Sequence, residues 1–203
     1  MVNHKINMVH QVLNGTKLFK HKNKNMNRIY KIENGVVVPD GTTVYEIIGP
    51  VQSSNAGLPI IEEHSLAQGV LDPEEKSSVH VHPIISHLTW VISGELTVGM
   101  KDKNSDEMYF INVKENETVL TEPGTFFQLL NNGKEICKVL YIVAPAFIYE
   151  VDRNGTVLYN DQIVLNMTWE ELRKKNWTIP ELDNLDEIKK SRIQSLNRLK
   201  TQI

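Results

Sequence analysis

The 203-residue chain has a single cysteine, Cys137, so no disulfide can form within it. That agrees with a reducing compartment, and a cytoplasmic location is expected. Charge of either sign is not in excess. Twenty-two Lys and Arg stand against 25 Asp and Glu, a formal net charge of -3. Nothing global therefore points to nucleic acid or to an anionic membrane, and neither is expected as a partner. No apolar stretch approaches the length of a membrane span. The N-terminus, Met-Val-Asn-His-Lys-Ile-Asn, has no uninterrupted apolar run, so no signal peptide is expected. A Gly-rich phosphate loop and a serine-nucleophile elbow are also missing. The length suits one substantial core with some decoration, hence a single domain over 1–203.

What is present is a concentration of histidine. Three of the seven histidines, His80, His82 and His87, fall within eight residues. In an extended segment His80 and His82 point the same way, because side chains alternate across a strand. Pro83 ends that strand, and His87 opens the next apolar run, from which it can fold back. Three neutral imidazoles converging on one point suit a divalent transition metal and leave coordination positions open for chemistry. A structural role for His-x-His in a strand is the bland alternative. His4, His10, His21 and His64 have no such company and read as surface or packing residues.

The middle of the chain reads as β-structure, short apolar runs separated by turn signals at the spacing of a sandwich or barrel. Strands are expected at Arg28 to Ile32, Val36 to Val38, Thr43 to Ile48, Ser65 to Leu71, Val79 to His82 and His87 to Ile92. Further strands follow at Glu95 to Met100, Met108 to Val113, Thr118 to Thr121, Phe126 to Leu130 and Ile136 to Val143. Asn34-Gly35 marks a hairpin, Asp40-Gly41 another turn, and Ser93-Gly94 a turn that makes Glu95 to Met100 the hairpin partner of the His87 strand. Phe147 to Val151 and Thr156 to Tyr159 flank Asn154-Gly155 as a last hairpin. After about residue 165 the pattern becomes helical. Thr168-Trp-Glu-Glu171 is a capping box opening a helix that ends near Trp177, and Pro180 breaks it. Asn184-Leu-Asp-Glu187 opens a second helix reaching almost to the end. Leu185, Ile188, Leu196, Leu199 and Ile203 form its apolar face, with Lys189, Lys190, Arg192, Arg198 and Lys200 elsewhere.

The histidine run resembles the first motif of the cupins, G-x5-H-x-H-x3,4-E-x6-G. His80, His82 and Gly94 sit at the motif spacing, His87 takes the place of the glutamate, and Glu74 that of the first glycine. The segment Asn116 to Asn131 is similar to the second motif, G-x5-P-x-G-x2-H-x3-N. Gly124 and Asn131 match, Asn116 replaces the glycine, proline has moved to Pro123, and Phe127 holds the histidine position. The resemblance implies a mainly β fold: an antiparallel jelly-roll β-barrel with its core at about 45–150, N-terminal strands at about 28–48 and a C-terminal helical extension at about 165–203. It also implies a divalent transition metal held inside the barrel by His80, His82 and His87, with Fe(II) favoured and Cu, Ni, Mn or Zn alternatives. A non-haem iron dioxygenase or oxidase acting on a small organic substrate is the leading expectation. A redox-neutral isomerase, cyclase or lyase and a non-catalytic ligand-binding cupin are the alternatives. A homodimer is expected, since cupins commonly share strands between subunits.

Around that centre, Phe127 is expected to line a dry substrate pocket. Thr89 shares the face of His87 and is a candidate hydrogen-bonding group. Tyr141 is a candidate interior proton donor, with a core tyrosine of satisfied hydroxyl as the favoured reading. Gln128 reaches the pocket only through a bulge. Trp90 points opposite to His87. Cys137 reads as a buried apolar residue, not a nucleophile, and Glu62 and Glu63 as a solvated turn.

Overall fold

A computed structural model describes residues 35–55 and 60–201. The expected strand from Arg28 to Ile32, the turn residue Asn34, His4, His10, His21 and Ile203 lie outside them. Thirteen strands are described: β1 (Val36–Val37), β2 (Thr43–Ile48), β3 (Ser65–Leu71), β4 (Val79–Val81), β5 (Ser86–Ser93), β6 (Glu95–Lys101), β7 (Met108–Lys114), β8 (Thr118–Thr121), β9 (Phe126–Leu130), β10 (Cys137–Ala144), β11 (Tyr149–Val151), β12 (Val157–Asn160) and β13 (Ile163–Leu165). Three helices accompany them: α1 (Pro50–Asn55), α2 (Trp169–Lys174) and α3 (Leu185–Thr201). One sheet has the order β1-β2-β3-β10-β5-β8, the other β13-β4-β9-β6-β7, and β11-β12 form a separate hairpin about Asn154-Gly155. Every described pairing is antiparallel. Two facing antiparallel sheets connected in this way are a jelly roll.

Alternation sorts the side chains. On β5, His87, Thr89 and Val91 are buried while Trp90 and Ile92 are exposed. On β10, Cys137, Val139, Tyr141 and Val143 face the interior, and on β9 Phe127 and Leu129 do so. These residues pack with Leu71, Ile85, Leu96, Val98 and Met100 in one core between the sheets. Each such aliphatic or aromatic side chain stabilises the fold by about 1.5–3 kcal/mol when taken wholly out of water. A second cluster, Val79, Val81, Phe126 and Leu165 with Leu172, Trp177 and Ile179, glues α2 to the outside of the second sheet. A third sets Leu196 and Leu199 of α3 against Ile148 and Tyr159.

The backbone at the motif positions explains the substitutions there. Glu74, Gly94, Asn116 and Gly124, the four places where the two motifs call for glycine, all have positive φ, at 66°, 85°, 67° and 85°. Asn tolerates this region, whereas Glu74 holds it at a cost of about 1–2 kcal/mol. Asn131 ties the corners together: its amide donates to the carbonyls of Leu71 (3.0 Å) and Glu135 (2.8 Å) and accepts from the Gly133 N–H (3.0 Å).

Ser93-Gly94 is not a hairpin. β5 lies between β10 and β8, and β6 lies in the other sheet between β9 and β7. The chain turns a corner at Gly94, where a Cβ would stand 3.0 Å from the Ile136 carbonyl oxygen and 3.1 Å from the Cys137 Cα. Asn132-Gly133 makes the same change of sheet between β9 and β10.

The capping box at Thr168 is present in both directions, but α2 stops at Lys174. Asn176 and Trp177 have positive φ and end the helical path. Pro180 starts a short 3-10 turn, Pro180–Leu182. At α3 the Asn184 side chain accepts from the Glu187 N–H at 3.3 Å. Its buried face is Arg192, Ser195, Leu196 and Leu199, so Arg192 turns inward and not outward with the lysines. α1 and β13 were not expected. No helix among the described residues is long and apolar enough to cross a membrane.

Candidate metal centre

His80 lies on β4, His82 just beyond it and His87 on β5, yet their rings meet inside the barrel. Ring centroids are 5.5 Å apart for His80 and His82 and 5.4 Å for His82 and His87. All three residues are buried. Phe127, paired with His80 across β4 and β9, packs its ring on each of them, at 3.9 Å from His80, 5.3 Å from His82 and 5.6 Å from His87. The side chain that replaces the last motif histidine therefore fills that place with an apolar face.

The tautomers follow from the partners. A carbonyl only accepts, so His80 Nδ1 donates to the Ser78 carbonyl oxygen (2.9 Å) and His82 Nδ1 to that of Asp161 (3.2 Å). This leaves each Nε2 with a free lone pair, the arrangement that orients metal-ligating histidines elsewhere. His87 Nδ1 is buried without a hydrogen-bond partner. Burial, the largest effect in each case, depresses the basicity of all three. His80 is lowered despite the opposing charge of Asp40, His82 is lowered well below its ordinary value with help from its two histidine neighbours, and His87 is brought down to about 3. Neutral imidazoles are the ligating form.

Tyr141 stands beside His87 at 4.8 Å between ring centroids. Its hydroxyl is buried and has no hydrogen-bond partner, which corrects the expectation of a satisfied core tyrosine. Burial, reinforced by the charge of Asp40, pushes its acidity far from the neutral range, so the hydroxyl stays protonated as a donor. Gly69 on β3 makes room for it, since a Cβ there would meet the hydroxyl at 2.5 Å. Thr89 is buried on the same face as His87 and pairs with Tyr141 across β5 and β10.

Gln128 is not brought to the centre. Its amide donates to the Ser77 carbonyl (2.7 Å) and accepts from the Trp169 indole N–H (2.9 Å), which holds it on the α2 side of the sheet. Strand β9 is regular there, so no bulge redirects it. Cys137 is buried and its thiol is pushed up to about 11, which agrees with a packing role. Glu62 pairs with Lys200 at 2.7 Å, and Glu63 and His64 are exposed.

Two aspartates that sequence reasoning missed join the site, one by its carboxylate and one by its backbone carbonyl. Asp40, in the β1–β2 turn, places Oδ2 at 3.8 Å from His80 Nε2. Asp161 lends its carbonyl to His82 and its carboxylate to Arg192 of α3, at 3.1 Å and 3.3 Å. The Asp-Gly dipeptide signals a turn whatever its carboxylate does, so only tertiary placement reveals Asp40.

By chemical type the donors suit a divalent metal. Two Nε2 lone pairs are preset by backbone carbonyls, a third imidazole has a buried nitrogen with no partner, and a buried carboxylate lies alongside. As they stand among the described residues, no three His, Cys, Asp or Glu side chains are already gathered to ligating distance.

No protein-family model matches the chain, and no curated protein does. Solved structures do. Recombinant oxalate oxidase in complex with glycolate is 20% identical, with a TM-score of 0.50 over 64% of this chain and 64% of that one. A cupin 2 conserved barrel domain protein from Salinispora arenicola is 13% identical, with a TM-score of 0.46 over 59% of this chain and 90% of that one. A double-stranded β-helix domain protein from Klebsiella pneumoniae is 19% identical, with a TM-score of 0.39 over 51% of this chain and 76% of that one. At these identities the likeness concerns the fold alone. It agrees with the two facing antiparallel sheets: a jelly-roll β-barrel that carries C-terminal helices.

Proposed function

We propose that this chain is a metal-dependent cupin enzyme in which His80, His82 and His87 hold a divalent metal, Fe(II) in the first instance, for oxidation of a small organic substrate by dioxygen. The observation that carries the reading is the pair of Nδ1–carbonyl bonds at His80 and His82, which set two buried, neutral imidazoles with their Nε2 lone pairs free. A ferrous ion so bound supplies open coordination positions and the electrons for dioxygen chemistry.

The rest falls to the chain. Phe127 closes the site to water on the β9 side, which strengthens every electrostatic contact within it. The protonated Tyr141 hydroxyl, lacking a partner of its own, would donate a hydrogen bond to a substrate oxygen. Thr89 flanks it. A homodimer in the cytoplasm accompanies this reading, with the exposed Trp90, Ile92 and Leu120 of β5 and β8 as the face a second copy would cover.

Oxygen consumption tests it. Anaerobically iron-loaded protein, offered a panel of small hydroxy, keto and dicarboxylic acids that includes oxalate and glycolate, should consume dioxygen with at least one of them. Turnover of a panel member without oxygen uptake would replace the oxidase reading with redox-neutral chemistry.

A further inference from the structure

Asp40 is a buried carboxylate with an unusual set of neighbours. Oδ1 accepts from the Thr42 N–H (2.9 Å) and hydroxyl (2.7 Å), and Oδ2 accepts from the Gln162 amide (2.8 Å). Its own carbonyl accepts from the Ser78 N–H at 2.6 Å, which pins the β1–β2 turn to the residue preceding β4. These donors are neutral. Among the described residues no Lys or Arg pairs with it, and the ionisable group within ion-pair reach is His80. Buried charges are ordinarily paired or bound to metal.

His80 does not supply the missing cation. Its Nδ1 carries the hydrogen given to Ser78, so Nε2 meets Asp40 Oδ2 as a lone pair facing a lone pair, 3.8 Å away. That gap is too long for a hydrogen bond. It is shorter than the sum of a metal–nitrogen and a metal–oxygen bond, each ~2.0–2.2 Å, so one ion can contact both atoms.

We propose that Asp40 is the fourth protein ligand of the metal centre, a carboxylate delivered by the β1–β2 turn. The inference rests on the three-histidine centre proposed above. The motif glutamate is absent from β5, where His87 stands, and the anionic ligand comes instead from a different segment. The centre would then carry a net single positive charge and not two, and Gln162 and Thr42 would be the groups that orient its carboxylate.

Cobalt titration under anaerobic conditions, followed by visible absorption, tests this without reference to activity. The wild-type chain should bind about one Co(II). Asp40→Asn should weaken binding at least ~10-fold, the lower end of what loss of even an outer-shell partner costs, and shift the absorption bands. Thr42→Val, which keeps the carboxylate and removes one of the hydrogen bonds that orient it, should weaken binding less than Asp40→Asn does and leave the absorption bands in place. Asp40→Cys should gain cobalt–thiolate charge-transfer absorption in the near ultraviolet, absent from the wild type despite Cys137. Wild-type affinity and spectrum in Asp40→Asn, equal loss in Thr42→Val, or no thiolate band in Asp40→Cys would each overturn Asp40 as a ligand while leaving the three histidines in place. Failure of the wild-type chain to bind cobalt would overturn the histidine centre itself.

Discussion

Metal-free protein should lose stability as the pH falls below about 6.5, the ordinary value of a histidine in the unfolded chain. The cause is the three interior histidines. In the unfolded chain each protonates near its ordinary value of 6.5, but in the fold burial lowers all three, His87 to about 3. Their contribution is fully present above the unfolded value and is lost as pH falls toward the folded values, because the unfolded state takes up protons that the folded state refuses. His87 contributes up to about 1.4 kcal/mol per unit between about 3 and 6.5, and His80 and His82 add to it in the same direction. Glu46 opposes them. Burial raises its carboxyl from 4.5 to about 7, so its contribution is present at low pH and is lost as pH rises through about 7. The three histidines act together, so the net loss on acidification keeps their sign. Chemical denaturation at a series of pH values, with chelator present, measures the slope. A profile flat from pH 7 to 5 would contradict the buried, neutral state of the histidines.

Arg192→Met should destabilise the fold by about 3–5 kcal/mol, a fall in Tm of roughly 6–20 °C for a chain of this size. Arg192 projects from α3 onto Asp161, whose carboxylate also accepts from the Tyr159 hydroxyl (2.7 Å) and the Ile148 N–H (2.9 Å). The guanidinium donates as well to the Ala146 carbonyl. Burial pushes the Asp161 carboxyl upward even with the guanidinium beside it. Removing Arg192 thus leaves a buried carboxylate without its countercharge and a buried carbonyl without its donor. Because the Asp161 carbonyl receives the His82 Nδ1–H, the damage extends to the centre. Arg192→Met combined with Asp161→Leu should recover part of the loss, since an apolar pair strands no charge. Thermal unfolding of the single and double variants decides the matter. A Tm for Arg192→Met within 2 °C of wild type would show that the clasp contributes nothing.

Much of the fold is legible in local pattern. β2, β3, β8 and β9 begin and end where their apolar runs and flanking turn signals set them, and on β8 exposed and buried residues alternate with the period of two that one buried face imposes. The motif spacing located the glycine positions, and the positive φ at Glu74 and Asn116 shows that they keep the turn without the glycine. Connectivity was not legible. Ser93-Gly94 carries the same local signal whether the chain doubles back in one sheet or crosses to the other, and the crossing depends on Ile136 and Cys137 packing against Gly94. The capping box at Thr168 was read correctly as a beginning, but the end of α2 at Lys174 is set by where Trp177 enters the apolar layer under the helix.

The centre divides in the same way. His80, His82, His87, Phe127, Thr89 and Tyr141 share the interior because strand parity places them there. Asp40 and Arg192 escaped notice because each looks ordinary in its own segment, a turn aspartate and one cation among several on a basic helix. Their partners, His80 and Asp161, stand 40 and 31 positions away in the chain, and no local rule reaches that far. Tyr141 was placed correctly, but whether its hydroxyl finds a partner depends on Gly69 of β3 and on the neighbouring sheet.

The central claim is that His80, His82 and His87 form a metal centre, and metal content tests it most directly. Protein purified without chelator, or reconstituted anaerobically with ferrous iron and desalted, should retain about one metal per chain by elemental analysis. His82→Ala should retain almost none while keeping its near-ultraviolet circular dichroism, since a centre that loses one of three imidazoles loses its tight binding. Metal-free wild-type protein after iron reconstitution, or equal metal in His82→Ala, would contradict the account.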